Sequence, residues 1–131
     1  MKPSEVSILI VDDVNAVRVQ FMEILHNFGF QKLRTASNGE EAKYLLAVEP
    51  IHLILADWHM APTSGLDLLK YMKQHAAYQM IPFIMISAES TRARVMEAVE
   101  GGVDDYIMKP LTPNLVQTRV FNTLFKKGVF T

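Results

Sequence analysis

The feature that most constrains the fold is a regular alternation of strand-like runs with stretches of helical apolar spacing. The strand-like runs are short and are bounded by polar or turn-forming residues, which is typical of strands buried in a sheet. They occupy residues 7–11, 32–36, 53–57, 83–86 and 105–108, with the second run the least apolar. The intervening helical patterns occupy about 14–28, 40–48, 66–72, 91–100 and 113–127.

Five strand–helix repeats predict an α/β fold, a doubly wound (βα)5 three-layer sandwich with a parallel sheet. Four of the five strands end in a reactive polar group, whereas the second ends in Ala36 and Ser37. A strand order of 2-1-3-4-5 groups those four ends and leaves the second strand at an edge. This is the flavodoxin-like order, in which ligands bind at the carboxyl ends of the strands.

Length and composition narrow the classes of protein to consider. We expect residues 1–131 to form a single domain, since 131 residues can bury one core. The net charge is −1 with scattered basic residues, which argues against direct nucleic-acid binding. There is no cysteine, so disulfides and thiolate metal sites are excluded. No apolar run is long enough to span a membrane, and no signal sequence is visible, so we expect a cytoplasmic protein.

The polar residues at the strand ends form a set with complementary chemistry. Asp12 and Asp13 follow the first strand, Asp57 ends the third, Ser87 follows the fourth and Lys109 follows the fifth. Individually, each residue has an ordinary structural role, such as Asp13 capping the first helix. Together, three carboxylates repel one another and favour a hard divalent cation, Mg²⁺ or Mn²⁺. With Lys109 as a fixed charge and Ser87 as a hydroxyl donor, the set suits phosphoryl transfer to Asp57 as the nucleophile.

These residues resemble the receiver domains of two-component response regulators, and most of all the single-domain chemotaxis members of that family. The resemblance covers nearly the whole chain. It is carried by the motifs Val11-Asp12-Asp13, Asp57-Trp58-His59-Met60, Gly65, Ser87-Ala88-Glu89, Gly102-Val103-Asp104-Asp105-Tyr106 and Lys109-Pro110.

The resemblance implies a phosphoryl acceptor and a metal site. It implies that Asp57 accepts a phosphoryl group from the phosphohistidine of a sensor histidine kinase. The metal would lie on Asp13, Asp57 and the backbone carbonyl of His59, with Asp12 in support. The protein would then be a signalling module that phosphorylates and dephosphorylates itself, rather than an enzyme acting on other substrates.

The same resemblance implies a switch, and the spacing of two further residues indicates how its lifetime is set. Ser87 and Tyr106 resemble the family's switch pair, and the Lys109–Pro110 bond resembles one that is cis. The side chains of His59 and Glu89 lie two residues after Asp57 and Ser87. We therefore expect them to border the path of the water that attacks the aspartyl phosphate.

Output is expected from a protein-binding surface formed by the fourth helix, fifth strand and fifth helix, around Tyr106. The last helix carries a wide apolar stripe, and Phe130 adds to it in the tail. The stripe is either core or an exposed docking or dimer patch. The expected partners are a sensor histidine kinase and a downstream target, and the protein would be a monomer or a phosphorylation-dependent dimer.

Two alternatives share parts of the pattern. A phosphohydrolase of the haloacid-dehalogenase type also pairs an aspartate nucleophile with Ser or Thr, Lys and Mg²⁺. Such enzymes carry Asp-x-Asp at the nucleophile, whereas this chain has His59 at the second position and no large capping insertion. A flavin-binding protein of the same architecture would need a Ser/Thr/Gly-rich phosphate cradle after the first strand, and the loop at Asp12 and Asp13 lacks one.

Overall fold

Five parallel strands form one sheet in the order β2-β1-β3-β4-β5, so the predicted fold class and strand order are confirmed. The structure is a computed structural model and describes residues 1–130. After a short 3-10 turn at Pro3–Glu5, the strands are β1 (Ser7–Val11), β2 (Lys32–Ala36), β3 (Leu53–Asp57), β4 (Phe83–Ser87) and β5 (Asp105–Met108). The helices are α1 (Asn15–Asn27), α2 (Gly39–Val48), α3 (Gly65–Lys73), α4 (Arg92–Gly101) and α5 (Pro113–Lys126).

Alternate residues of the central strands supply two hydrophobic cores, one on each face of the sheet. In β1, Ile8 and Ile10 point into the core that is covered by α1 and α5. Leu9 and Val11 point into the core that is covered by α2, α3 and α4. This two-residue period is the geometry of any strand. All five β1 residues are buried because both faces of the sheet are covered.

Most of the apolar stripe of α5 packs in the core, although Phe125 is exposed. Val116, Val120 and Leu124 are fully buried, and the chain after α5 folds back so that Phe130 is only 7% exposed. The Phe130 ring stacks on Phe30, with ring centroids 6.2 Å apart. Of the two interpretations left open by the sequence, core packing therefore accounts for most of the stripe.

The register of the sheet brings the ends of the strands level with one another. Val11 pairs with Ala56, which precedes Asp57, and Asp57 itself pairs with Ile86. Ser87 pairs with Met108, which precedes Lys109. The polar residues at the ends of β1, β3, β4 and β5 consequently share one edge of the sheet.

The first helix begins differently from the others. Asn38, Ser64, Thr91 and Thr112 cap α2, α3, α4 and α5 through their side chains. The cap position of α1 is Val14, which has no side-chain cap bond, so the prediction that Asp13 caps this helix is wrong. The Asp12 carboxylate instead accepts a bond from the Val14 amide at 2.9 Å. The Asp13 side chain therefore does not cap α1.

Among residues 1–130, no helix has both the length and the apolar character needed to cross a membrane.

Gly65, the first residue of α3, and Gly101, the last residue of α4, should differ in how well they tolerate substitution by alanine. A Cβ on Gly65 would overlap the Asp57 carbonyl oxygen and lie 3.0 Å from the Asp57 carbonyl carbon. Since backbone cannot yield as a side chain can, we expect Gly65→Ala to lower the free energy of unfolding by about 2 kcal/mol. In the matched control Gly101→Ala, the new Cβ would meet the flexible end of Leu69 at 3.0 Å. Urea unfolding of both variants checks this, and equal losses would contradict it.

Candidate functional site

The site is built around Asp57, the last residue of β3. Asp57 is only 5% exposed. The chain stays tied to the sheet just beyond it, because the Trp58 amide donates to the Ile86 carbonyl at 2.8 Å. The Trp58 carbonyl in turn accepts from the Gly65 amide at 3.0 Å, which closes the loop between β3 and α3. The backbone that follows Asp57 is thus fixed both to β4 and to the start of α3.

Three carboxylates converge at this edge of the sheet. Asp12, Asp13 and Asp57 each offer an oxygen, and these oxygens all lie within 4.8 Å of one another. Asp12 is 1% exposed, whereas Asp13 is exposed to solvent. The cluster therefore has a buried floor formed by Asp12 and Asp57 and an open side at Asp13.

Lys109 supplies the nearby positive charge. Its Nζ lies 3.4 Å from an Asp12 carboxylate oxygen and 3.5 Å from an Asp57 carboxylate oxygen. The Lys109 amide donates to the Ser87 carbonyl at 2.8 Å, which anchors the backbone after β5 to β4. The Lys109–Pro110 peptide bond is cis, and so is the Ala61–Pro62 bond in the loop after β3.

The electrostatic balance leaves Asp57 short of positive charge. Burial raises the pKa of the Asp57 carboxyl above its ordinary value, and the negative charge of Asp12 raises it further. The Lys109 ammonium and the backbone N–H of His59 oppose that rise without cancelling it. The single positive charge of Lys109 therefore does not neutralise the carboxylates around it.

The donor set fits a hard divalent cation. Carboxylate and carbonyl oxygens are the ligands that Mg²⁺ prefers, and the cation commonly keeps several waters. An open side at Asp13 leaves room for those waters, and a divalent charge would remove the penalty on ionised Asp57. The chemistry of the residues therefore supports a metal site here.

Ser87 and Tyr106 meet through the backbone of Glu89. Ser87 is fully buried, and its Oγ accepts a hydrogen bond from the Glu89 amide at 3.0 Å. The Tyr106 hydroxyl donates to the Glu89 carbonyl at 2.6 Å. Tyr106 is half-buried against the core on the α3 and α4 face. The structure therefore links the two predicted switch residues through a single intervening residue.

The side chains of His59 and Glu89 contact each other beside Asp57. His59 Nε2 lies 3.2 Å from one Glu89 carboxylate oxygen. The other Glu89 oxygen lies 3.1 Å from Arg94 Nη2, and the Arg94 guanidinium stacks over the Trp58 ring at 4.3 Å. The loop after β3 and the loop after β4 are thereby joined.

Two arginines near the site were not predicted from the sequence. Arg94 contacts Glu89, as described, and Arg18 donates to the Asp12 carbonyl at 2.6 Å and to the Asn15 side chain at 3.1 Å. Both lie in the helix that follows a site loop. An arginine on a helix surface is usually solvated. The contacts of these two arginines depend on where the loops lie in the fold, which the sequence pattern does not show.

Comparison with known proteins identifies the family. The family model described as "Response regulator receiver domain" matches residues 8–121. The chain belongs to the response regulator receiver domain family. It is accordingly a signalling module of two-component signal transduction. This result favours the response-regulator interpretation over the phosphohydrolase alternative, and the alternative is not retained.

Individual relatives agree with this assignment. The chain is 33% identical to "Chemotaxis protein CheY1" of Helicobacter pylori over 114 residues, which covers 86% of this chain and 92% of the relative. It is 35% identical to "Chemotaxis protein CheY-3" of Vibrio cholerae over 105 residues, covering 80% of this chain and 81% of the relative. The signal receiver domain of a histidine kinase from Syntrophus aciditrophicus superposes with a TM-score of 0.83 at 29% identity, covering 92% and 90% of the two chains.

The raised pKa of Asp57 predicts how charge affects the stability of this receiver domain. A carboxyl whose folded pKa is raised binds its proton more tightly when folded, so the free energy of unfolding falls as pH rises from the ordinary value of 3.8 through the folded pKa. Without divalent metal at pH 7, Asp57→Asn removes that cost and should raise the free energy of unfolding by roughly 1 kcal/mol.

Urea unfolding in the presence of a chelator, at several pH values, measures this effect. The advantage of Asp57→Asn should shrink towards pH 4 and should also shrink when Mg²⁺ is added to both proteins. A variant less stable than the wild type at pH 7 in chelator would contradict the argument.

Proposed function

We propose that Asp57 accepts a phosphoryl group from the phosphohistidine of a sensor histidine kinase. The observation that carries this proposal is the placement of one nearly buried carboxylate between two others and a lysine at 3.5 Å. Such a carboxylate contributes little to stability through its ion pair with Lys109, because its surroundings raise its pKa. It is well placed as a nucleophile that a cation and a phosphoryl group would engage.

The transfer exchanges one bond to phosphorus for another. An Asp57 carboxylate oxygen forms a bond to phosphorus while the bond from phosphorus to the histidine nitrogen breaks, and the leaving imidazole takes a proton. Lys109 stabilises the negative charge on the phosphoryl oxygens from its position 3.5 Å from Asp57. Hydrolysis later returns the carboxylate and releases inorganic phosphate.

The metal would be Mg²⁺ or Mn²⁺, held by Asp13, Asp57 and the backbone carbonyl of His59. Asp12 would act through a water molecule, since its carboxylate already accepts from the Val14 amide. When bound, the ion supplies positive charge that neutralises the carboxylates and the phosphoryl oxygens. Self-phosphorylation from a small donor would then depend on the metal.

Acetyl phosphate provides the direct test of acceptor and metal. With Mg²⁺, the wild type should gain one phosphoryl group by intact mass. Asp57→Asn should gain none, because the nucleophile is gone. Chelation by EDTA should slow the wild-type reaction at least about 100-fold, given the charge stabilisation that the ion supplies.

Asp67→Asn is a matched control, because Asp67 lies in the capping box of α3 and outside the acid cluster. It should be phosphorylated like the wild type. An adduct on Asp57→Asn, or one that forms equally fast in EDTA, would overturn the proposal.

The signal would leave the site through Ser87, Glu89 and Tyr106. A phosphoryl group on Asp57 adds negative charge and strong acceptor oxygens. The Ser87 hydroxyl would move to donate to one of them, and this would disturb the bond from the Glu89 amide to Ser87 Oγ. Because the Tyr106 hydroxyl is bound to the Glu89 carbonyl, the movement would reach Tyr106 through that peptide.

Fluorotyrosine labelling can follow this route without a known target. The chain has four tyrosines, and the Tyr106 resonance can be assigned with Tyr106→Phe. Beryllofluoride, a phosphoryl mimic, should shift the wild-type Tyr106 ¹⁹F resonance in the presence of Mg²⁺. Ser87→Ala should bind the mimic and lose most of that shift, whereas Ser87→Thr keeps the hydroxyl and should keep the shift. A full shift in Ser87→Ala would show that the signal takes another route.

The output surface would be the face formed by α4, β5 and α5. Each of these elements carries an exposed apolar side chain: Met96 is 45% exposed and Val99 54% in α4, Met108 is 44% exposed in β5, and Phe125 is 57% exposed in α5. A change at Tyr106, in β5 itself, would alter the shape of this face. A coupling of about 1–3 kcal/mol is enough to change the affinity for a target protein 5- to 150-fold.

The phosphoryl donor, the compartment and the oligomeric state are also proposed. The names of the relatives make a chemotaxis kinase the first donor to test. We further propose that residues 1–131 form a single receiver domain that acts in the cytoplasm, as a monomer or as a dimer formed on phosphorylation. Its net charge of −1 does not favour direct binding to nucleic acid.

The side chains of His59 and Glu89 would set how long the phosphoryl group lasts. They contact each other at 3.2 Å between the loops that border Asp57. Any water that attacks the aspartyl phosphate must pass these loops or the open side at Asp13. Substitutions at either position should therefore change the dephosphorylation rate more than the affinity for Mg²⁺.

A further inference from the structure

Arg94, in the first turn of α4, is held by two different groups. Its Nη2 lies 3.1 Å from a Glu89 carboxylate oxygen, and its guanidinium carbon lies 4.3 Å from the centre of the Trp58 ring. The side chain is 24% exposed, although it belongs to a helix that is largely open to solvent. Trp58, which it covers, is 5% exposed and directly follows Asp57.

These contacts extend into a chain of three side chains that we call the loop bridge: His59, Glu89 and Arg94. Glu89 uses one carboxylate oxygen for His59 at 3.2 Å and the other for Arg94 at 3.1 Å. The His59 contact needs only a hydrogen on Nε2, which the neutral ring can also carry. The loop bridge thus spans the gap between the loops that follow β3 and β4.

Arg94 is the least exposed member of the loop bridge. His59 and Glu89 have side chains that are 53% and 45% exposed, and a pair so exposed is only weakly held. Arg94 adds a second ion pair to Glu89 and a stacking contact with a buried indole, and its planar guanidinium suits both. Without Arg94, Glu89 would keep its backbone bonds but its carboxylate would be free to turn away from His59.

We propose that Arg94 is a positioning residue that holds the loop bridge closed and thereby slows the loss of the phosphoryl group from Asp57. This rests on the proposed function of Asp57. In the hydrolysis step, a water oxygen bonds to phosphorus, and the bond from phosphorus to the Asp57 oxygen breaks. The electron pair stays on the carboxylate, and the water protons leave with inorganic phosphate and solvent. The closed bridge obstructs the approach of that water between the two loops.

The lifetime of the phosphorylated protein tests the proposal. The wild type and variants are phosphorylated with acetyl phosphate and Mg²⁺, the donor is removed, and phosphoryl loss is followed by intact mass. We expect Arg94→Ala to lose phosphate roughly three- to tenfold faster, the range that an ion pair and a cation–π contact together can supply. Arg94→Lys, which keeps the charge and loses the planar fork, should fall between Arg94→Ala and the wild type.

Two further measurements separate positioning from general damage. Arg92→Ala removes an exposed arginine from the same helix and should match the wild type. In a Glu89→Ala background, Arg94→Ala should add less than about a twofold change, because the carboxylate it positions is gone. The Mg²⁺ midpoint of Trp58 fluorescence should stay within about twofold of the wild type, since Arg94 does not contact the acid cluster; Trp58 is the sole tryptophan.

Acrylamide quenching of Trp58 tests the contact without phosphorylation. Removing Arg94 should expose the indole and raise the quenching constant about twofold or more, while Arg92→Ala should leave it unchanged. Equal quenching in Arg94→Ala and the wild type would show that Arg94 does not cover Trp58. It would overturn the positioning role of Arg94 and leave the proposed function of Asp57 intact. A wild type that takes up no phosphoryl group would overturn the proposed function together with the lifetime role. Unchanged or slower phosphoryl loss in Arg94→Ala, with normal phosphorylation, would overturn the lifetime role.

Discussion

The crowding of three carboxylates against one lysine is the interaction on which the rest of the site depends. Asp12 and Asp57 are almost fully buried, Asp13 is open to solvent, and Lys109 lies within 3.5 Å of both buried groups. Burial and repulsion from Asp12 raise the pKa of Asp57, so the ionised carboxylate destabilises the folded protein. A divalent cation bound to the cluster would relieve that repulsion, and the same positive charge would favour binding of a phosphoryl group.

The fold maintains this crowding through the register of a parallel sheet. Paired backbones align the ends of β1, β3, β4 and β5 at one edge, and two hydrophobic cores hold the sheet from both faces. Asp57 ends β3 and Asp12 directly follows β1, so the pairing of these two strands keeps the carboxylates close. The fold can therefore hold together groups that repel, which free loops could not do.

Glu89 connects the acid cluster to the surface. Its amide bonds Ser87, its carbonyl accepts from Tyr106, and its carboxylate bridges His59 and Arg94. A single residue thus contacts the Ser87 hydroxyl, the tyrosine of β5 and the first turn of α4. Signal transmission and phosphoryl lifetime would then share one structural element, and changes in α4 that affect partner binding would also affect lifetime.

Strand order and the acid cluster could be predicted from the sequence because each rests on a local pattern. A buried strand followed by Asp57, and Asp12-Asp13 after another strand, leaves few arrangements once the sheet is parallel. The cap of α1 was predicted incorrectly because Asp13 suits a helix cap by type, whereas Asp12 binds the Val14 amide instead. The role of Arg94 depends on the distance between two loops, which no local spacing encodes.

Asp57, and neither of its acidic neighbours, is proposed to carry the phosphoryl group. The most direct measurement is to phosphorylate the protein with acetyl phosphate and Mg²⁺, reduce the acyl phosphate with borohydride, and map the product by peptide mass spectrometry. Reduction converts a phosphorylated aspartate into homoserine and so marks the acceptor. We predict homoserine at position 57 alone. Homoserine at position 12 or 13, or none at position 57 in a protein that has gained phosphate, would contradict it.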